Sequence, residues 1–323
     1  MKESIFVKQN YSKWVRFEQD LTEDPDELAA RFISVTDDLA YAKTFFPKSN
    51  TTAYLNGLAA HFHQSIYVNK KEKSGRFKSF WITELPLLFK KHEKQLLYSF
   101  LFFVVFCFIG ALSAKFDDSF VRLILGDGYV NMTNENISKG DPFGVYKKEG
   151  EFAMFFYIAS NNIFVSFYTY VSGIFASVGT VYNLVKNGIM LGSFQYYFFS
   201  KGLGWQSVLV IWIHGTLEIS AIVIAGGAGL VLGNSILFPK TYKRIVSVTR
   251  GAKEGLKIVI GLVPIFVCAA FLEGFITRHT EMPLLLSLSI LLASLSFMVW
   301  YVIIYPNYLS QKLKNDKPGE TEH

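Results

Sequence analysis

Leu96-Leu97-Tyr98-Ser99-Phe100-Leu101-Phe102-Phe103-Val104-Val105-Phe106-Cys107-Phe108-Ile109-Gly110-Ala111-Leu112-Ser113-Ala114 is a run of 19 residues without a formal charge. Wound as an α-helix rising 1.5 Å per residue it extends about 28 Å, enough to cross the hydrocarbon layer of a bilayer. The run follows 95 residues of other character, so it is expected to remain as a span and not to be removed as a signal peptide. A membrane is therefore the solvent against which the rest of the chain is read.

Composition agrees. Of 323 residues, 51% are hydrophobic, 16% aromatic and only 18% charged, against roughly 25% charged in an average soluble domain. Mean hydropathy is +0.28. Such a chain is not disordered or collagen-like, and with 2 Cys it is not a disulfide-stapled module. The net charge of +6 would suit nucleic acid. The apolar excess instead makes Lys and Arg markers of cytoplasmic loops, so the expected partner is a lipid bilayer and no nucleic acid.

Toward the C-terminus, further apolar stretches cover about residues 152–170, 171–199, 205–237, 258–276 and 284–304. A polar loop at 115–151 carries Asp117, Asp118, Asp127, Glu135, Asp141, Glu149 and Glu151, and its Gly, Asn and Pro content predicts mostly irregular structure. Residues 239–257 form a basic loop with Lys240, Lys243, Arg244, Arg250, Lys253 and Lys257 against Glu254. Basic loops stay cytoplasmic, which sets the 115–151 loop outside and 239–257 inside. Six spans then leave both termini inside, with Arg278-His279 in a short outer turn. Asn161-Asn162 and Lys186-Asn187-Gly188 are places where half-helices or re-entrant segments would be tolerated.

Toward the N-terminus the pattern is that of a soluble helical domain. Asp24-Pro25-Asp26-Glu27 reads as a capped helix start, and Leu28, Phe32, Val35 and Leu39 follow as one apolar stripe, ended by Pro47. A second helix from about Thr52 carries Leu55, Leu58, Phe62 and Ile66. Lys70 to Gly75 reads as a linker. Residues 76–95 mix Phe77, Phe80, Trp81, Leu85, Leu88 and Phe89 with Lys78, Lys90, Lys91 and Lys94. That pattern suits an amphipathic helix at the membrane surface, or a third core helix of the soluble domain. The expected fold is all-α: a polytopic membrane helical bundle behind an N-terminal soluble helical domain. Its parts are a cytoplasmic domain at 1–75, a juxtamembrane helix at 76–95, a bundle at 96–304 and a cytoplasmic tail at 305–323.

Polar residues inside apolar runs are the informative anomaly. His214, Glu218 and Glu273 are ionisable, while Asn161, Asn162, Lys186 and Asn187 add polarity. A charge at mid-span costs roughly 2.5–3.5 kcal/mol on insertion scales, so such groups face the bundle interior. At about 100° per residue, His214, Glu218, Ala221, Ala225 and Gly229 share one arc of their helix. Ala225, Gly229 and Gly233 form a small-xxx-small series that admits a close neighbour. Counted from the outer ends of their spans, His214, Glu218, Glu273, Asn161 and Asn162 gather in the outer half of the bundle. Gly173, Ser177, Thr180 and Asn187 share another arc.

His214–Glu218 at i, i+4 reads first as a buried hydrogen-bonded pair that fixes helix packing, and otherwise as a proton relay or an ion or substrate ligand. Spacing supplies no third metal ligand, so no metal and no cofactor are expected. His61 and His63 fall on different helix faces and read as ordinary histidines, and Cys107 and Cys268 as small apolar residues. His-Glu-x-x-His, a phosphate-binding Gly loop, the kinase set and a nucleophile elbow are all absent from the sequence, and no enzymatic activity is expected.

The run His214-Gly215-x-x-Glu218-x-x-Ala221-Ile222-x-Ile224-Ala225-Gly226-Gly227-Ala228-Gly229-Leu230-x-Leu232-Gly233 resembles the hallmark of the stage II sporulation protein M family of bacterial integral membrane proteins. Asn187-Gly188-x-x-Leu191-Gly192 looks like its preceding element, and Ala269-Ala270-Phe271-x-Glu273-Gly274-Phe275-Ile276-Thr277 like its following one. Phe6-Val7-Lys8-Gln9-Asn10, Asp38-Leu39-Ala40, His61 and Ile66-Tyr67 resemble the cytoplasmic leader of non-sporulating members. The resemblance implies a multi-span inner-membrane protein, which in spore formers is a scaffold for peptidoglycan-degrading enzymes during engulfment. Members in organisms without spores stand beside genes for a MoxR-type ATPase and other membrane proteins. Two functions follow as expectations. One is a non-enzymatic scaffold or subunit of a cell-envelope complex, binding other membrane or envelope proteins, with a homo-oligomer also open. The other is a transporter or channel-like protein with an intramembrane polar site around His214, Glu218 and Glu273.

Overall fold

The computed structural model describes residues 2–20, 22, 25–67, 75–147, 150–277 and 282–315. The expected cap at Asp24, the linker at 70–74, Glu149, the turn at Arg278-His279 and the last eight residues of the tail lie outside the described residues. Among those described, all regular structure is helical. The chain divides at Arg76 and Phe77 into two compact units.

The first unit holds α1 (Glu3–Gln19), α2 (Pro25–Phe45) and α3 (Asn50–Tyr67). Phe6 and Trp14 of α1 pack on Val35 and Leu39 of α2 and on Leu55, Leu58 and Phe62 of α3. The anticipated stripes thus meet in one core, which α1 completes; Ile66, placed on the second stripe, stays exposed. The Trp14 indole N–H donates to Asp38 Oδ2 at 2.7 Å, satisfying the one polar atom that so large a buried side chain brings inside. Buried Arg31 is held by Asp20 and Glu27.

The second unit takes in α4 (Arg76–Ser79) from its second residue on, then a π-helical turn at Phe80–Glu84 and α5 (Leu85–Lys91). There follow α6 (Glu93–Phe116), α7 (Asp118–Leu125), α8 (Asp127–Ser138), α9 (Glu151–Val171), α10 (Val178–Ser200) and α11 (Gly204–Leu237). Then come α12 (Arg244–Phe271) with a π-helical turn at Leu272–Thr277, α13 (Leu284–Val299) with another at Trp300–Ile304, and α14 (Tyr305–Asn315). Among the described residues, four helical stretches are long and apolar enough to cross a membrane: α6, α11, α12 with its π turn, and α13 running on through α14. Burial of the most apolar window is 67% in α11 but 11% in α13, so α11 is the axis about which the others pack.

The two ends of this unit are marked by polar contacts. At one end Lys91 and His92 meet Glu254, Lys257 meets Glu84, and Tyr305 donates to the Ile82 carbonyl at 2.9 Å. The Tyr170 hydroxyl, at the close of α9, donates to Ala252 O at 2.7 Å and so belongs to this end too. At the opposite end Tyr197, late in α10, donates to Asn134 Oδ1 of α8 at 2.8 Å. There too Phe152, at the start of α9, packs edge-on against Phe275. Hence α9 and α10 each run from one end of the bundle to the other.

Five expectations need correction. Asn161-Asn162 and Lys186-Asn187-Gly188 do not break their helices; α9 and α10 pass through both unbroken. The chain reverses instead at 172–177, through a 3₁₀ turn and left-handed Ala176 and Ser177, so α10 starts at Val178 and not at 171. The 115–151 segment is largely helical. The Asp117 side chain accepts from Ser119 N to cap α7, whose Val121 enters an apolar cluster with Tyr197 and Phe198. Of the 239–257 segment, only the first residues are a loop: α12 starts at Arg244, and its basic residues project from helical turns. Residues 85–89 are not a surface strip, because Leu85, Leu88 and Phe89 are buried in the core that α11 and α12 share.

Close approach around α11 rests on residues without bulk. A Cβ on Gly229 would run into the Thr180 hydroxyl and lie 2.9 Å from Thr169 O; one on Gly233 would collide with the Ser177 backbone. Gly229→Ala or Gly233→Ala therefore overpacks the α10–α11 contact at a cost of about 1–3 kcal/mol. Gly57→Ala, with nothing within 4 Å, is neutral or slightly stabilising. Thermal melts in detergent should separate the two classes, and equal melting temperatures would contradict the packing described.

Burial holds His92 below the usual imidazole range, against the opposing pull of the Glu254 carboxylate. The folded chain then resists a proton that the unfolded chain accepts below about pH 6.5. The stability that His92 contributes is present above that pH and declines as the pH falls. The melting difference between wild type and His92→Gln should shrink from pH 7.5 to 5.5; a constant difference would exclude this linkage.

Candidate functional site

The polar residues of the spans are sorted by the fold into one cluster and several outliers. His214 and Glu218 sit one turn apart on α11, and the turn Leu272–Thr277 that extends α12 brings Glu273 against them. One potential ligand atom from each of His214, Glu218 and Glu273 lies within 4.8 Å of the others. His214 Nε2 is 3.8 Å from Glu273 Oε2, a charge contact but longer than a hydrogen bond. His214 is buried, and both carboxylates are largely enclosed.

Thr277 orients the imidazole. Its hydroxyl lies 3.0 Å from His214 Nδ1 and itself donates to Leu272 O at 3.2 Å. With the single Thr277 proton given to Leu272 O, the hydroxyl accepts from Nδ1–H of His214, the tautomer that the hydrogen-bond network assigns. Nε2 faces Glu273. The π-helical turn sets this arrangement, since one register of i→i+5 bonding re-aims Glu273 and Thr277 together; such turns are frequent at functional sites.

Asn162 reaches the cluster from α9. It is 6% exposed, and its amide nitrogen, which has no other hydrogen-bond partner among the described residues, faces the Glu218 carboxylate. Ser166 and Thr169 continue the same face of α9 with buried hydroxyls that have no hydrogen-bond partner among the described residues. Asn161 is exposed on the far side of the helix, and Lys186 is exposed on α10. Asn187 donates to Asn183 O of its own helix at 2.8 Å. None of these three joins the cluster. Ala225 is fully buried, and Gly229 and Gly233 lie in the contact with α10 described above.

Thr277 figured in the sequence only as the last residue of the family-like element that begins at Ala269, one helical turn after Glu273, with no role given to it. Ser166 and Thr169 carried no signal, because Ser and Thr are common in spans. The third group beside His214 and Glu218 was invisible to spacing because it comes from another helix. A cavity of about 170 Å³, lined in part by Ile213, Thr277, Met282 and Ser287, opens beside this constellation on its Thr277 side.

Long apolar helices around an enclosed polar centre define a multi-pass membrane protein. Residues 99–278 match the family described as stage II sporulation protein M, and residues 4–68 match a domain of unknown function (DUF8413). The chain belongs to the stage II sporulation protein M family. The first match takes in α9–α12 and so all of the polar cluster; the second falls within the first compact unit. No match was found to a curated protein or to a solved structure.

Thr277→Val leaves the His214 N–H without an acceptor, a buried loss of about 1–3 kcal/mol, whereas Thr277→Ser keeps the acceptor. The melting temperature should fall clearly for the first and little for the second. Equal effects would mean that the hydroxyl does not hold His214.

Proposed function

We propose that the protein is a non-enzymatic scaffold or subunit of a cell-envelope complex. It resides in the bacterial inner membrane with six crossings and both termini in the cytoplasm. The observation that carries this reading is the locked centre of the bundle. Gly173 and Gly229, Gly233 and Ser177, and Gly192 and Cys107 meet at backbone distance, which leaves the central helices little freedom to slide. A rigid frame of this kind, with a separately cored helical unit ahead of it, suits a platform that holds partners.

The orientation is supported by charge. Lys90, Lys91, Lys94, Arg250, Lys253 and Lys257 belong to the end of the bundle where Glu84, His92 and Glu254 meet. Tyr301 and Tyr305 bring the start of α14 to that same end. Six crossings are supported by the end-to-end course of α9 and α10. These two helices, rich in Tyr, Asn and Ser, are less apolar than the other four.

A second reading, transport through the bundle, is favoured by one specific observation. Beyond the Asn162 amide that faces Glu218, Ser166 and Thr169 place two buried hydroxyls without a hydrogen-bond partner among the described residues along one face of α9. Polar groups without partners at membrane depth are costly, and water or a passing ion would satisfy them.

Capture of the full chain from its own membranes in mild detergent should retain a defined membrane or envelope protein in fixed proportion. Removing residues 2–67 should release it, while the remaining bundle stays monodisperse. Recovery of the chain alone across several detergents would contradict the scaffold reading. Full complementation by abundant, folded His214→Gln and Glu218→Gln variants would remove the support for transport.

A further inference from the structure

We infer that His214, Glu218 and Glu273 bind one divalent transition-metal ion, of the mixed nitrogen–oxygen preference shown by zinc and manganese, with His214 Nε2 and one oxygen from each carboxylate as ligands. The inference does not depend on whether the protein is a scaffold or a transporter.

Geometry supports it first. Metal–ligand distances of about 2.0–2.2 Å for imidazole and carboxylate place neighbouring ligands roughly 3–4 Å apart. Here Nε2 and Glu273 Oε2 are 3.8 Å apart, and all three donors lie within 4.8 Å. That separation is too long for direct hydrogen bonding and right for an ion held between the atoms. The second support is the imidazole's fixed orientation. In the assigned tautomer Thr277 accepts a hydrogen bond from Nδ1–H and so turns Nε2 toward the carboxylates, the outer-shell arrangement that accompanies most ligating histidines.

A third, independent observation comes from α9. The Asn162 amide is buried, has no other partner among the described residues and is aimed at Glu218. It is placed to hold the carboxylate oxygen that the metal does not use. Charge balance adds a reason of its own. Two carboxylates facing each other in a low-dielectric interior repel strongly, and a doubly charged cation cancels both at once. Three protein ligands leave a further coordination position open for a water molecule.

Hard oxygen-only cations fit less well, because magnesium and calcium prefer oxygen ligands. Thiolate sites are not involved: Cys107 lies on α6, and Cys268 on α12 is exposed.

The test uses the full chain in detergent or nanodiscs, stripped with a chelator and titrated with zinc, manganese or magnesium. Bound metal is counted by mass spectrometry and stability by thermal melting. The wild type should retain one equivalent of zinc or manganese per chain and melt higher with it. Glu218→Gln and Glu273→Gln should each lower affinity by a hundredfold or more. Thr277→Val should lower it about 10–100-fold, and Thr277→Ser much less. His92→Gln, at the other end of the bundle, should bind as the wild type does. Should the carboxylate variants fail to fold, X-ray absorption on the zinc-loaded wild type decides. One imidazole nitrogen with oxygen neighbours at about 2.0–2.2 Å supports the site. Three results would overturn the inference: retention no greater than in the Gln variants, uptake of magnesium alone, or a spectrum without an imidazole ligand.

Discussion

Ionisable side chains at bilayer depth must turn toward protein, and this constraint organises the second unit. His214, Glu218 and Glu273 could not face acyl chains without a cost of several kcal/mol each. Burying them calls for helices on all sides of α11, and that enclosure brings backbones close enough to exclude side chains at Gly229 and Gly233. The polar cluster and the glycine contacts are thus two consequences of one arrangement. They occupy different levels of α11: the ionisable groups lie nearer its start, the small residues nearer its end.

Much of this was legible in the sequence. The charge-free run at 96–114 established a membrane protein, and the arc shared by His214, Glu218, Ala225 and Gly229 marked α11 as the central helix. The inward face of each ionisable residue followed from solvation alone. Helix ends and loop structure were less legible. The 115–151 segment has the composition of a loop, yet Asp117 caps a short helix whose apolar face finds a partner on α10. Composition reports the solvent-facing majority of such a segment, whereas its structure is decided by the few residues that dock.

The polar pairs in α9 and α10 show the opposite case. Asn161-Asn162 looked like a break because two adjacent amides are costly in a span. The helix survives because adjacent residues point about 100° apart, so only Asn162 turns inward and meets Glu218. Depth counted along each span placed His214, Glu218 and Glu273 at one level of the bundle, but which side chains touch was beyond reach: Glu273 and Thr277 are far from His214 in sequence, and only the packing of α12 on α11 brings their atoms together. A π-helical turn also has no sequence signature, so the alignment of Glu273 with Thr277 could not be foreseen.

The central claim is that the three ionisable groups face one another inside the bundle, sheltered from lipid. A high-resolution structure of the full chain in a lipid nanodisc measures this directly. The account predicts donor atoms of His214, Glu218 and Glu273 within about 5 Å of one another, close to the 4.8 Å found here, with Thr277 on Nδ1 and Asn162 beside Glu218. Glu218 or Glu273 in contact with acyl chains, or separated from His214 by another helix, would contradict it.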